Sequence, residues 1–145
     1  MEISIQEIPV QEEEQLIIRC HRVDENILDL VHQIKNNQDR LLGYLNDEIY
    51  RLSLNDIYYF ETVDHHSFFY CKDKIYETKL KLYEFEEYII NSRFFRASKS
   101  TIVNAKKIVH VKPSLSGRFE VYMENGEQLS VSRQFVPDLK KQIGL

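Results

Sequence analysis

The run Phe94-Phe95-Arg96-Ala97-Ser98-Lys99-Ser100-Thr101-Ile102-Val103-Asn104-Ala105-Lys106-Lys107-Ile108 constrains the fold of this 145-residue chain more than any other stretch. Apolar residues gather at both of its ends, and small, polar and basic residues fill its middle. Phe95, Ile102, Val103 and Ile108 can pin the flanks into a core. That leaves Arg96, Ser98, Lys99 and Ser100 on an exposed turn, a chemistry suited to phosphate oxygens and base edges. On these residues alone the turn is equally a solvated loop between two strands.

The remaining sequence supplies mostly short strands. Ile3, Ile5 and Ile8 alternate up to Pro9, the pattern of a short edge strand within Met1 to Val10, and Leu16 to His21 reads as a second strand. Asp24 suits the N-cap of a helix that carries Ile27, Leu28, Val31 and Ile34 and fades across Lys35 to Asp39. Leu41–Tyr44 and Glu48–Leu52 flank Asn46-Asp47, a hairpin signal. Tyr58–Glu61, Phe68–Cys71 and Ile75–Thr78 read as strands, with Asp64-His65-His66-Ser67 as a polar loop tip. Leu82, Phe85 and Ile89 share one stripe of a helix. Beyond the opening run come a strand at Ile108–Val111 and a hairpin of Arg118–Met123 with Gln128–Ser132 across Asn125-Gly126. Pro137 opens a last helix, lined by Val136, Leu139 and Ile143 and stopped by Gly144.

The expected fold class is therefore mostly β (α+β), antiparallel, with three helices. Residues 1–40 form a strand-helix extension and residues 41–145 the main domain. Hydrophobic residues make up 43% of the chain, with nine Tyr and eight Phe, enough for a real core. Only four Gly and three Pro argue against a fibrous or disordered chain. No apolar run reaches membrane-spanning length and the acidic N-terminus is no signal peptide, so the expected setting is the cytoplasm, without membrane insertion. Cys20 and Cys71 both sit in strand-like apolar segments and are expected to be reduced and buried.

Charge is divided along the chain. Residues 1–90 carry 9 Lys and Arg against 19 Asp and Glu, whereas residues 91–145 carry 10 against 4. The basic half suits an anionic partner, and screening over roughly 8 Å makes a distant acidic half tolerable. An enzyme would have to rest on Asp64, His65 and His66, or on Glu61. Adjacent His residues on a strand point to opposite faces and make poor joint metal ligands. No nucleophile elbow, phosphate-cradling Gly loop or metalloprotease helix motif occurs. No catalytic residue, cofactor or metal is expected.

Phe94-Phe95-Arg96, Lys99-Ser100, Ile102-Val103-Asn104 and Lys107-Ile108 together resemble the central signature of the LytTR DNA-binding domain. Asp56-Ile57 with Tyr59 and Glu61 is similar to that family's early strand, and Ile75–Thr78 to the strand before its helix. Val131-Ser132-Arg133, with Phe135 in place of Tyr, is similar to its closing segment. The resemblance covers roughly residues 41–143. It implies an elongated antiparallel β-sheet domain that binds double-stranded DNA through loops entering the major groove. Many family members carry a phospho-acceptor receiver upstream. Residues 1–40 are too short for one, which implies a stand-alone transcriptional regulator.

The resemblance also assigns site residues. His66 or Ser67 falls at the first base-contacting loop, with a possible slip of one position. Lys99 matches the base-contacting position of the middle turn, and Arg133 that of the closing segment. Arg offers a planar fork to guanine O6 and N7, and Lys can donate to the same acceptors. His65, Arg96, Ser98, Ser100, Lys106, Lys107 and Ser132 suit phosphates, with Lys112 and Arg118 as further candidates. Ser98 stands where family members commonly have His. The family binds paired repeats, which implies a homodimer or side-by-side binding. Residues 1–40 would then serve dimerisation or a regulatory contact, such as a small membrane protein. The competing reading is a non-catalytic protein-interaction or ligand-binding β module.

Overall fold

The computed structural model describes residues 2–38 and 41–145. Met1, Asp39 and Arg40, which belong to the expected extension, lie outside the described residues. Helix α1 (Glu25–Gln38) starts where Asp24 Oδ1 accepts the Ile27 N–H at 3.0 Å, the expected cap. Ahead of it neither expected strand forms: residues 2–23 contain no strand, and their apolar side chains are exposed except for half-buried Ile18. An alternating pattern is realised only where a neighbour completes the ladder, and none of the described residues provides one.

The main domain opens with the hairpin β1 (Leu41–Leu45) and β2 (Glu48–Leu52). Asn46 and Asp47 both take positive φ, +52° and +64°, the two-residue turn that follows strand twist. β3 (Tyr59–Val63) and β4 (His66–Tyr70) repeat that device, with Asp64 and His65 at +50° and +66°. The expected four-residue tip thus shrinks to two residues, and His66 and Ser67 lie inside β4. After β5 (Ile75–Thr78), helix α2 (Leu82–Tyr88) leads to β6 (Phe94–Arg96) and β7 (Thr101–Asn104). These strands form one seven-stranded sheet in the order β2-β1-β5-β4-β3-β7-β6. β8 (Ile108–Pro113), β9 (Phe119–Met123) and β10 (Gln128–Val131) form a separate three-stranded antiparallel sheet. Helix α3 (Val136–Ile143) closes the fold, and Gly144 stops it at φ +83°.

The large sheet has a core on each face, because successive strand residues point opposite ways. Phe60, Phe94 and Ile102 join one core with Phe69 and Phe85, where the Phe60 and Phe85 rings stack at 4.9 Å. Tyr59, Phe95 and Val103 join the other, against Val121, Val131 and Leu139 of the small sheet and α3. The motif's pairs Phe94-Phe95 and Ile102-Val103 therefore each anchor both cores.

Asn104 is buried and holds this frame from within. Its Nδ2 donates to the Ile57 carbonyl at 2.9 Å, and its Oδ1 accepts the Lys106 N–H at 3.0 Å. The cysteines divide: Cys20 is exposed, contrary to expectation, because its segment joins no sheet. Cys71 is half-buried, and burial, with Asp56 and Asp73 nearby, pushes its thiol up to about 12.

Candidate nucleic-acid interface

Three polar tips come together at one end of the two sheets. The β6–β7 turn, residues 97–100, occupies the middle. Its Ser100 carbonyl accepts the Thr62 N–H at 2.9 Å, which places the turn beside the end of β3 and the Asp64-His65 turn. On its other side the Ala97 carbonyl accepts the Ser132 N–H at 2.8 Å, joining the turn to the corner after β10. Ala97 is fully buried and closes the turn by donating its N–H to the Thr101 carbonyl at 2.9 Å. Main-chain bonds alone thus fix the spacing of segments far apart in sequence.

Arg96 braces the turn from below. Its Nε donates to the Ser98 carbonyl at 2.6 Å, its Nη2 to the Lys99 carbonyl at 2.5 Å, and its Nη1 to Glu86 Oε1 of α2 at 2.6 Å. The guanidinium also lies 5.7 Å from the Phe135 ring centre. Its side chain is half-buried, so the residue expected to meet a phosphate spends its fork on the protein. Ser98 is similarly engaged, accepting the Ser100 N–H on Oγ at 3.2 Å.

Lys99 and Arg133 stand differently. Both are exposed, and neither side chain has an ion-pair or hydrogen-bond partner among the described residues. Arg133 crosses Gly117 of the β8–β9 loop so closely that a Cβ there would meet its Cδ at 2.9 Å. That loop is pinned by Ser114, whose N–H donates to the Arg118 carbonyl at 2.8 Å. It brings exposed Arg118, one of the further phosphate candidates, and exposed Ser116 to the same end, a fourth tip beside the three expected. The one available sequence signal was Gly117 beside Arg118.

The first tip is narrower than expected. His65 is exposed at the turn, and exposed His66 pairs with Glu77 through Nδ1 at 2.9 Å. Ser67 is buried at 7% exposure, its Oγ 3.3 Å from Thr62 Oγ1. Lys106 and Lys107 do not join the tips at all. They follow the opposite end of β7, a strand of about 13 Å, where Lys107 Nζ sits 5.2 Å from the Tyr58 ring centre. Ser132 is half-buried at the start of the 3-10 turn Arg133–Phe135, where its carbonyl accepts the Phe135 N–H at 2.8 Å and its side chain makes no capping bond.

Residues 47–144 match the family model described as the LytTr DNA-binding domain. The chain belongs to the LytTR family. The LytTr DNA-binding domain of a Bacillus cereus protein superposes with a TM-score of 0.68 at 24% identity, covering 73% of this chain and 97% of that one. Curated relatives include proteins of Staphylococcus aureus strains NCTC 8325 and bovine RF122, each named an HTH-type transcriptional regulator. They are 24% and 23% identical over 131 residues, 88% of both chains in each case. The LytTR fold seen here is not itself a helix-turn-helix: among the described residues, strands separate α1, α2 and α3 from one another. No described helix is long and apolar enough to cross a membrane.

Proposed function

We propose that this chain is a sequence-specific, non-catalytic transcriptional regulator of the cytoplasm that reads double-stranded DNA in the major groove through the tips of its two sheets. The observation that carries the reading is the pair of exposed, unpartnered cations, Lys99 and Arg133, on turns locked together by main-chain bonds. A cation held on a rigid turn contacts a base edge without first losing a protein partner or ordering a loop. Lys99 and Arg133 are the base readers, and His66 reads at the first tip once it releases Glu77. His65, Ser100, Ser132 and Arg118 face the phosphates. Arg96 and Ser98 shape the middle turn, Ser67 supports the first, and Lys106 and Lys107 lie outside the contact surface. The relatives' names as transcriptional regulators support the regulatory role. Two copies occupy paired repeats, and the extension ahead of β1 provides the surface for a second copy or for a small membrane regulatory protein.

Anisotropy titration over a salt series tests this reading. Log affinity should fall steeply with log salt, as expected for several phosphate contacts. Lys99→Ala and Arg133→Ala should each cost about 1–3 kcal/mol and relax preference at one base pair. The double change Lys106→Ala and Lys107→Ala should leave affinity and salt slope near their starting values. Absence of binding even at low salt would refute the proposal.

A further inference from the structure

β6 ends the seven-stranded sheet, and its outer edge has no strand beside it. The bonds on its inner side decide which groups point outward. The Arg93 carbonyl accepts the Ala105 N–H at 2.8 Å, and the Ala97 N–H donates to the Thr101 carbonyl at 2.9 Å. Bonded and non-bonded pairs alternate along an antiparallel ladder, so Phe94 and Arg96 turn their peptide groups to the open edge. Ser92 Oγ accepts the Phe94 N–H at 3.2 Å. The Phe94 carbonyl, the Arg96 N–H and the Arg96 carbonyl are left without a partner among the described residues.

A cleft of about 720 Å³ runs along this edge, between α1 and the α2 and α3 sides of β6. That volume is in the usual range for ligand pockets. Phe94 and Phe95 both border it, yet their side chains are buried in opposite cores, so the strand meets the cleft with its backbone. Exposed Leu28 of α1 and exposed Ile90 beyond α2 add apolar lining.

Charge is sorted along the cleft. Helix α3 begins at the Arg96 end, where Phe135 lies beside the guanidinium, and finishes at the other end, where Arg93 Nη2 donates to the Gln142 carbonyl at 3.0 Å. Lys141, next to Gln142, and Lys106, two residues past the Asn104 that pairs with Phe94, line that second end. Asp138 stands one helical turn, ~6 Å, nearer the Arg96 end, where Glu86 pairs with Arg96. Lys106, Lys141 and Asp138 form no ion pair among the described residues. Glu25 and Asp29 of α1 add further acid to the lining.

We propose that this cleft is an effector site for a short peptide with free termini and apolar side chains, bound as an antiparallel strand on β6. A tripeptide completes the edge. Its first residue pairs with Arg96, accepting that N–H and donating to that carbonyl. Its third residue donates its N–H to the Phe94 carbonyl. The carboxylate then leaves the strand toward Lys106 and Lys141, and the ammonium group toward Asp138 and Glu86. The reverse direction would set each terminus against its own charge. Arg96 also braces the Lys99 turn, so occupancy of its edge reaches the DNA-reading tips; this regulatory step rests on the proposed function, whereas peptide binding does not.

Calorimetric titration of the full chain with unblocked tripeptides of alanine, valine and leucine should give saturable binding. No binding by any of them would overturn the proposal. Acetylating and amidating the peptides should weaken binding about tenfold, as should Lys106→Gln with Lys141→Gln, the thermal transition staying unchanged. Undiminished affinity in either case would refute the assignment of the termini. In hydrogen exchange, the Arg96 amide should exchange freely in the chain alone and become protected with peptide. Protection in the chain alone would mean that the edge is filled from within and would overturn the proposal, as would binding without protection. Saturating peptide should tighten DNA binding about fivefold or more, and unchanged affinity would refute the effector role. All measurements but the last are made without DNA, so their failure leaves the reading of DNA by the tips untouched. The peptide-free salt series decides that reading separately.

Discussion

Arg96 Nη1 lies 2.6 Å from Glu86 Oε1, and through that contact helix α2 bears on the turn that presents Lys99. Arg96→Ala should therefore weaken DNA binding by about 1–2 kcal/mol, because charge-assisted bonds to two turn carbonyls and one carboxylate are lost. The salt slope separates this role from a phosphate contact. A bracing Arg96 leaves the slope unchanged, whereas a phosphate contact would lower it by about one. Glu86→Gln should weaken binding in the same direction, since it loosens the brace while making the domain less acidic.

Gly117 holds φ +78° beneath the Arg133 side chain. Gly117→Ala meets two penalties, left-handed strain and a contact with Arg133 Cδ, and should cost about 1–2 kcal/mol of stability. It should also shift base preference at the position that Arg133→Ala relaxes. Thermal melts and a panel of single-base variants of the DNA site read the two effects separately.

Asn104 belongs to the same motif as Lys99 but should behave in the opposite way. Asn104→Ala strands the Ile57 carbonyl and the Lys106 N–H and should destabilise the fold by about 1–3 kcal/mol. Denaturant unfolding will show the loss. Affinity of the fraction that remains folded should stay near that of the parent.

Glu61 is half-buried on β3, and burial, followed by the charge of Glu127, raises its carboxyl above the usual value. In the window above 4.5 the folded state holds that proton more tightly than the unfolded state does. Stability is therefore lost as pH rises through the folded value. Glu61→Gln should melt higher than the parent at neutral pH, and the difference should vanish as pH falls below the ordinary carboxylate range. A gap in melting temperature that is constant with pH would contradict the assignment.

Much of this was legible in the sequence because it depends on local chemistry. Asn46-Asp47, Asn125-Gly126 and Gly144 signal their turns through backbone preference, and Phe85 with Ile89 marks the buried side of α2. Residues settled by register were not legible. Ser67 faces inward because the Asp64-His65 turn takes two residues, and alternation from His66 then turns Ser67 into the sheet. Arg96 looked free because its partners, two carbonyls of its own turn and a carboxylate on α2, exist only after folding. Lys106 and Lys107 are near Ser100 in sequence but lie beyond the far end of an extended strand. The two strands expected within residues 2–23 do not form, because alternation alone supplies no neighbour to complete a ladder and no described residue provides one.

The middle turn is held by its peptide groups: carbonyls of Ala97, Ser98, Lys99 and Ser100 receive the bonds that fix it. The Lys99 side chain takes no part in that scaffold, and Arg133 contributes only its passage over Gly117. On the proposed reading, substitution at position 99 should change which operator is recognised without a toll on folding. A domain built that way would be free to drift among promoters, and the same separation would make it a practical frame for retargeting by changing two side chains.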